Sequence, residues 1–304
     1  MNIKIGTRGS LLALWQAEYI KAKLEAGGLT TEIIIIETKG DKILDRALSK
    51  IGSKGVFTEE LEEQLHIGAI DIAVHSAKDL QSELHKSLSI IAFTEREKTN
   101  DVLVSNKDID VDTEITIGTS STRRVAMLKS YFPHFKIVDM RGNLQTRIRK
   151  MEEGQCDALL LAYAGVNRMK YNELIRYEFD NKTFVPPVGQ GTVAIEISNN
   201  LDKNKADVVR TLCNDLETEQ CLLTERAYLK ELKGGCSIPV FGNAKLLEDK
   251  IHFTAGIISL DGKEIVKTTE IQNNESPAEL GIKIANIILA NGGKEILEKI
   301  KAQL

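Results

Sequence analysis

The stretch "NIKIGTRGSLLALWQAEYIKAKLEAGG" (residues 2–28) places a short strand directly before a long helix. Its first residues alternate polar and apolar side chains, which is the period of a β-strand. Leu12, Trp15 and Tyr19 then recur at helical spacing. Ser10 stands at the N-cap position, and two glycines end the predicted helix. A strand that leads straight into a helix is typical of α/β folds, so this stretch predicts that class.

Strands and helices alternate over the first two-thirds of the chain in two successive sets. The later predicted strands are "TEIIIIET" (31–38), "IDIAVHS" (70–76), "EITIGT" (114–119), "KIVDM" (136–140) and "DALLLAYAG" (157–165). The predicted helices between them are "VFTEELEEQLHIG" (56–68), "STRRVAMLKSYF" (121–132) and "NLQTRIRKMEEG" (143–154). This pattern indicates two α/β domains. We expect "VPPVGQGTVAIEIS" (185–198) to return the chain to the first of them.

The C-terminal part of the chain has a different pattern, with alternating strands and no helix between them. These predicted strands are "PVFGNAKLL" (239–247), "KIHFTAGIISL" (250–260) and "KEIVKTTEIQ" (263–272). Asp261-Gly262 is a hairpin-type turn that joins the last two. We therefore predict an α/β protein with domain 1 at residues 1–96 and 191–214, domain 2 at 97–190, and a small α+β domain 3 at 215–304 that carries a three-stranded antiparallel sheet.

Composition excludes several classes of protein. With 42% apolar and 28% charged residues the sequence is typical of a globular protein. No apolar run approaches the ~20 residues that span a bilayer, so we expect no membrane association. The four cysteines are not closely paired, which argues against disulfides and a metal site and favours the cytosol. The net charge of −4 argues against a nucleic-acid partner.

Positive charge is concentrated in one segment of this acidic chain. Residues 115–176 contain eleven Lys/Arg and five Asp/Glu, and seven of the twelve arginines lie there. Arginine suits bidentate recognition of carboxylates and phosphates, so the segment predicts a cleft for an anionic ligand. A solvated helix face explains Arg149 and Arg176 equally well.

Polar side chains also gather directly after four predicted strands. These groups are Thr7-Arg8-Gly9-Ser10, Ser76-Ala77-Lys78-Asp79, Thr119-Ser120-Ser121-Thr122-Arg123-Arg124 and Arg141-Gly142-Asn143. In open α/β sheets ligands bind beyond the carboxyl ends of strands, where helix N-termini attract anions. Each hydroxyl could instead be a simple N-cap. Four such groups together favour a carboxylate-binding cleft between two domains.

Two residues stand apart from this pattern. Asp79 is an acid among cations: it is either an N-cap or salt-bridge partner of Lys78, or a carboxylate that stabilises a positive charge and handles a proton. Cys236, in "ELKGGCSIPVFG" (231–242), is a cysteine set in a glycine-containing loop. An open backbone around a thiol indicates that something must reach it.

Nine motifs resemble the porphobilinogen deaminase (hydroxymethylbilane synthase) family, over essentially the whole chain. They are "IGTRGSLLALWQAEYI", "KGDKILD", "GSKGVFTEELE", "DIAVHSAKDL", "GTSSTRR", "RGNLQTRIRK", "LLLAYAGVNRM", "VGQGTVAIE" and "ERAYLKELKGGCSIPV". The resemblance implies two α/β domains similar to periplasmic binding proteins plus the small third domain. It implies a monomeric, cytoplasmic transferase that deaminates four porphobilinogen molecules and joins them head to tail on a covalent dipyrromethane primer. Release of hydroxymethylbilane then serves tetrapyrrole biosynthesis.

The resemblance also implies a role for each site residue. Cys236 would carry the dipyrromethane cofactor through a thioether, and Asp79 would be the catalytic carboxylate beside the pyrrole N–H groups. The other cofactor-binding residues would be Ser76, Lys78, Thr119, Ser121, Arg123, Arg124, Gly142 and Gln190. The substrate-binding residues would be Arg8, Ser10, Arg141, Arg147, Arg168 and Lys54, the last from a lid at about 41–55.

One rival function remains open at this point. A non-catalytic anion-binding protein of the periplasmic-binding type would use the same cleft and would leave Cys236 without a role. Such a protein is expected to carry a secretory signal, and "MNIKIGTRGS" goes directly into a strand pattern instead.

Overall fold

The computed structural model describes residues 1–42, 55, 57–234 and 238–303. The strands in these residues are β1 (Asn2–Thr7), β2 (Thr30–Ile35), β3 (Ile72–Ser76), β4 (Leu88–Phe93), β5 (Asp101–Val104), β6 (Thr116–Gly118), β7 (Lys136–Val138), β8 (Ala158–Ala162), β9 (Ile175–Glu178), β10 (Val193–Ser198), β11 (Val240–Leu247), β12 (Lys250–Ile258) and β13 (Ile265–Asn273).

The helices flank these strands. They are α1 (Leu11–Ala26), α2 (Lys39–Lys42), α3 (Glu59–His66), α4 (Thr122–Tyr131), α5 (Leu144–Glu152), α6 (Tyr163–Arg168), α7 (Lys203–Cys213), α8 (Leu216–Glu231), α9 (Pro277–Ile288) and α10 (Lys294–Lys301). Single 3₁₀ turns follow β3, at Ala77–Asp79, and precede β9, at Asn172–Leu174.

Two five-stranded sheets share one plan. The first has the order β2-β1-β3-β10-β4, and the second has the order β7-β6-β8-β5-β9. In each, the first three strands are parallel and the fourth runs antiparallel to both of its neighbours. The predicted α/β class is confirmed, and β10 confirms that the chain returns to the first sheet after the second is complete.

The third sheet confirms the predicted α+β part. Its order is β11-β12-β13, and both pairings are antiparallel. The turn at Asp261-Gly262 joins β12 to β13, with the Gly262 N–H donating to the Ser259 carbonyl at 2.9 Å. Helices α8 and α9 pack on this sheet through buried Leu222, Tyr228 and Ile284. The chain therefore passes from the first sheet to the second between β4 and β5, and it returns to the first between β9 and β10. The domain limits at 96/97, 190/191 and 214/215 stay predictions.

The sequence reasoning missed three strands and carried one predicted strand into the helix that follows it. Strands β4, β5 and β9 were not predicted. For β5 ("DVLV") the reason is that it is buried on both faces and so shows no alternation. The predicted strand 157–165 was wrong at its end: β8 stops at Ala162 and α6 starts at Tyr163.

One buried carboxylate ties the three sheets together. Glu225 of α8 is fully buried and accepts hydrogen bonds from the Arg96 guanidinium at 2.6 Å. It also accepts from the backbone N–H groups of Gly189, at 2.8 Å, and Ala244, at 2.7 Å. Because Arg96 follows β4, Gly189 precedes β10 and Ala244 lies in β11, this contact fixes the segments that pass between the sheets.

The crossing segment at 186–192 requires glycine where backbones touch. Gly191 has φ +91°, and a Cβ there would lie 2.3 Å from the Glu97 carbonyl oxygen. Gly189 has φ +79°, and a Cβ there would lie 2.7 Å from the Ala77 carbonyl carbon. The approach at Gly189 lets the crossing segment pack against the turn that follows β3, and the approach at Gly191 lets it pack against Glu97, which follows β4.

We predict that Gly191→Ala destabilises the protein more than Gly154→Ala does. Gly154 also has a positive φ (+83°), but a Cβ there meets nothing within 4 Å. Gly154→Ala should therefore lower the free energy of unfolding only by the cost of holding alanine in a left-handed conformation, about 1–2 kcal/mol. Gly191→Ala should cost roughly 2 kcal/mol more, because the backbone of Glu97 must also move. Urea unfolding measures both; equal losses would contradict the close approach.

Candidate functional site

The predicted site residues gather where the ends of the first two sheets meet the crossing segment. Lys78 lies in the turn after β3, and its Nζ donates to Gln190 Oε1 at 3.3 Å. Gln190, in the crossing segment, donates from Nε2 to Asp101 Oδ1 at 3.0 Å. Asp101 is the first residue of β5. Three separate parts of the chain thus converge on one polar centre.

Asp101 is a site residue that the sequence reasoning missed. It is fully buried and pairs with two neighbouring guanidiniums, Arg123 through Oδ2 and Arg124 through Oδ1, the latter at 2.6 Å. Burial alone would raise the pKa of Asp101, but the charges of Arg123 and Arg124 outweigh it and hold the pKa well below its ordinary value. The available signal was a charged residue at the start of an otherwise apolar run.

Arg123 and Arg124 are therefore already engaged by protein groups. Arg123 also donates to the Val185 carbonyl at 3.0 Å, and Arg124 donates to the Leu160 carbonyl at 2.9 Å. Arg123 Nε is buried with no partner among the described residues. The predicted role of both arginines in holding the cofactor stays a prediction, and a ligand there would share them with Asp101.

Lys78 is a cation without full compensation. Although part of its side chain reaches solvent, burial lowers the pKa of Lys78 to about 8, and the charges of Arg124 and Arg123 act in the same direction. Asp79 and Asp101 oppose this shift only in part. The centre therefore has a positive potential that an anionic ligand would relieve.

Arg147 and Arg141 extend this positive potential from the second sheet. Burial and the nearby charges of Arg124 and Arg141 lower the pKa of Arg147 to about 10, against the opposing charge of Asp79. Arg147 Nε donates to the Gly142 carbonyl at 2.7 Å, and Gly142 has φ +117°. Arg141 Nη1 is buried with no hydrogen-bond partner in the described part of the chain. A buried donor without a partner is costly, so this atom points to a missing acceptor.

A pocket of about 420 Å³, part of it open to solvent, lies beside this centre. Its lining includes Arg8, Ser10, Phe57, Ser76 and Asp79. The Arg8 guanidinium lies over the Phe57 ring, 4.1 Å from its centroid. Asp79 is exposed, and no residue in the described ranges hydrogen-bonds or ion-pairs with it. The structure thus excludes, within those ranges, the alternative in which Asp79 is an N-cap or a salt-bridge partner of Lys78.

The predicted hydroxyl groups have structural contacts of their own. Ser10 caps α1 by accepting from Ala13 N–H at 3.3 Å, and Ser121 caps α4 by accepting from Arg124 N–H. Thr119 is buried and accepts from Ser121 N–H at 3.4 Å. The capping interpretation thus holds for Ser10 and Ser121, and ligand contacts from these hydroxyls stay predictions.

Ser76 and Arg168 each contact a residue of α1. Ser76 Oγ accepts from the Gln16 amide at 2.8 Å, which makes Gln16 a second pocket residue that was not predicted. Arg168 donates to the Gly191 carbonyl at 2.7 Å and lies 5.1 Å from the centroid of the Trp15 ring. Arg168 therefore links the second sheet to α1 and to the crossing segment.

Cys236, Lys54 and most of the predicted lid lie outside the described residues. The cysteines within them, Cys156, Cys213 and Cys221, are buried and unpaired, and burial raises the pKa of each thiol to about 11. These three are therefore poor nucleophiles. In the described ranges no cluster of side chains could hold a metal ion, and no helix is long and apolar enough to cross a membrane.

Comparison with known proteins gives consistent matches over the chain. The family model "Porphobilinogen deaminase, dipyromethane cofactor binding domain" matches residues 3–206, and "Porphobilinogen deaminase, C-terminal domain" matches residues 219–290. A porphobilinogen deaminase of Cytophaga hutchinsonii is 56% identical, over 100% of this chain and 98% of its own length. One of Desulfosudis oleivorans is 50% identical, over 100% and 99%. A solved structure, the BvgS periplasmic VFT2 domain of Bordetella pertussis, covers 69% of this chain and 86% of its own, at 15% identity and a TM-score of 0.43.

We predict that the lowered pKa of Lys78 makes the free energy of unfolding depend on pH. The group is charged in both states below its folded pKa of about 8, and it binds fewer protons in the folded state between about 8 and the ordinary value of 10.5. The free energy of unfolding of the wild type, relative to Lys78→Met, should therefore rise as pH increases through this window. Denaturant titrations at several pH values measure it; a difference that stays flat or falls would contradict the shift.

Proposed function

The chain belongs to the porphobilinogen deaminase family, and on that premise we propose that it joins porphobilinogen units on a covalently bound dipyrromethane primer and releases hydroxymethylbilane. The observation that carries the proposal is the cleft in which buried, incompletely compensated cations lie near Asp79, which has no partner among the residues that the structure describes. Each porphobilinogen carries an acetate and a propionate, so carboxylates accumulate as the product grows. An acidic protein with a locally basic cleft suits such a ligand.

The described residues fit the dipyrromethane cofactor. Arg141 has a buried donor with no partner in the described part of the chain, and burial destabilises the charged forms of Lys78 and Arg147. Carboxylates on the cofactor would supply the missing acceptors and the missing negative charge. Cys236 would attach the cofactor through a thioether, and Gly142 would let the backbone approach it at a positive φ. When bound, the cofactor supplies the pyrrole α-carbon that forms the new bond.

The residues around the pocket would hold the incoming substrate. Arg8 and Ser10 line it, and Arg8 would bind a side-chain carboxylate while it remains stacked on Phe57. Arg168 would act from the crossing segment, and Lys54 from the lid. In this assignment Arg123 and Arg124 set the potential of the cleft and contact the cofactor with the N–H groups that Asp101 leaves available.

Asp79 would be the catalytic residue. The bond between the aminomethyl carbon and nitrogen of porphobilinogen breaks, ammonia leaves, and positive charge spreads over the pyrrole. A fixed carboxylate beside that charge stabilises it. The carbon–carbon bond would then form at the α-carbon of the terminal pyrrole, and that carbon would lose its proton, which Asp79 would accept. Asp79 suits both steps because it lines the pocket and has no partner in the described ranges.

The proposal includes a monomeric protein of the cytoplasm, and the free buried cysteines support the second part, a reducing compartment. The rival function, an anion-binding protein without catalysis, predicts no covalent cofactor and no consumption of porphobilinogen. A colour reaction for pyrroles on the purified protein separates the two.

We predict that the purified protein is heavier than its sequence by one dipyrromethane when it is made in cells that produce porphobilinogen. Cys236→Ser should remove this increment, because the thiol of Cys236 is the proposed attachment point. Cys156→Ser, Cys213→Ser and Cys221→Ser should keep it, since these thiols are buried. Intact-mass spectrometry measures all four variants. A wild-type mass equal to that of the bare chain would count against the proposal.

We predict that Asp79→Asn retains the fold and the cofactor but loses on the order of 10²-fold or more in turnover, because it keeps the shape of the side chain and removes its charge. Asp79→Glu keeps the charge at a shifted position and should keep a measurable fraction of activity. Turnover is compared with cofactor content for both. Near wild-type turnover in a fully loaded Asp79→Asn protein would show that Asp79 has no catalytic role.

A further inference from the structure

We propose that Asp101 is a positioning residue: through the Gln190 amide it holds the ammonium group of Lys78 in the cleft. Neither the family match nor the sequence motifs assign a role to Asp101. The inference rests on the proposed function for its biological meaning, because Lys78 matters as a ligand for the cofactor. Its structural basis is independent of that function.

Two acceptors fix the orientation of the Gln190 amide. Gln190 is fully buried, and its Nε2 donates to the Thr99 carbonyl at 2.7 Å and to Asp101 Oδ1 at 3.0 Å. Both partners are acceptors only, so the amide cannot turn over without placing its oxygen against two oxygens. Oε1 is therefore directed to the other side, where it accepts from Lys78 Nζ at 3.3 Å.

Asp101 is itself held in one position. Arg123 and Arg124 hold the two carboxylate oxygens of Asp101, and the side chain is fully buried, so the carboxylate does not contact solvent. The adjacent guanidiniums need it in turn, because two buried positive charges without an anion would repel each other. Asp101 thus stays ionised and remains an acceptor for Gln190 over the working pH range.

Asp101 and Gln190 together favour the charged form of Lys78. The charged groups that act on Lys78 are Arg124, Arg123, Asp79 and Asp101, and its hydrogen-bond partner within the described ranges is Gln190. Asp101 favours the ammonium form directly through its charge, and indirectly by directing Oε1 toward it. Neutralising Asp101 removes the first effect and weakens the second, because the Thr99 carbonyl then remains as the charge-free acceptor that orients the amide.

The test uses protein whose intact mass equals that of the bare chain, so that no cofactor contributes. NMR of ¹³Cε-lysine follows the titration of Lys78, with its signal assigned by its loss in Lys78→Gln. In Asp101→Asn the midpoint should fall below that of the wild type by about one pH unit or more, given the usual strength of charge-assisted hydrogen bonds. Gln190→Met should also lower it, while leaving Asp101 paired with both arginines.

Gln190→Met decides the matter if Asp101→Asn does not fold. Glu225→Gln is the matched control, since it neutralises another buried carboxylate that pairs with an arginine at the crossing segment. It should reduce stability without moving the Lys78 midpoint. If Gln190→Met left the midpoint at the wild-type value, or if Glu225→Gln moved it equally, Asp101 and Gln190 would be structural residues only.

A parallel measurement separates this inference from the proposed function. In loaded protein, the alkaline limb of kcat/KM for porphobilinogen should move to lower pH in Gln190→Met, because Lys78 loses its proton earlier. A wild type that does not consume porphobilinogen would overturn the proposed function and leave the NMR result standing. Active variants with an unchanged Lys78 midpoint would overturn the positioning role and leave the function standing.

Discussion

The carboxylate of Asp101 lies between two guanidiniums at the place where β5, α4 and the crossing segment meet. Burying three charges together is expensive, and such a group is tolerated only when every partner is present. Its partners come from distant parts of the chain: Arg123 is 22 residues away and Gln190 is 89 residues away. This one contact therefore requires the second sheet, the return of the chain and the turn after β3 to be in register at the same time.

The charges that Asp101 leaves uncompensated explain the character of the cleft. One carboxylate balances one of the two arginines, and Lys78, Arg141 and Arg147 add further positive charge around it. Burial makes these cations less stable than they are in water, so an arriving carboxylate gains more there than at the surface. The same cleft leaves Asp79 exposed and unpaired among the described residues, where a developing positive charge on a bound pyrrole would be stabilised.

Local patterns were enough to predict much of the fold. The strand and helix at 2–28, the hairpin at Asp261-Gly262 and the caps Ser10 and Ser121 all depend on neighbours in sequence, and the structure contains them. Strand β5 and the pairing of Asp101 depend on burial and on partners far along the chain, which periodicity cannot report. The motifs indicated Arg123, Arg124 and Gln190 as site residues, but the motifs could not show that these side chains first contact each other through Asp101. Cys236 lies outside the described residues, so its role rests on sequence alone.

In the proposed function this cleft builds its product on a primer attached to the protein. The most direct measurement is time-resolved intact-mass spectrometry of the purified wild type mixed with a limiting amount of porphobilinogen. The expected result is a ladder of discrete species, each heavier than the last by one porphobilinogen less one ammonia, with ammonia released in step and the starting mass restored only in molecules that have added a fourth unit and released the product. A protein mass that stays constant while porphobilinogen is consumed, or that never changes because none is consumed, would contradict it.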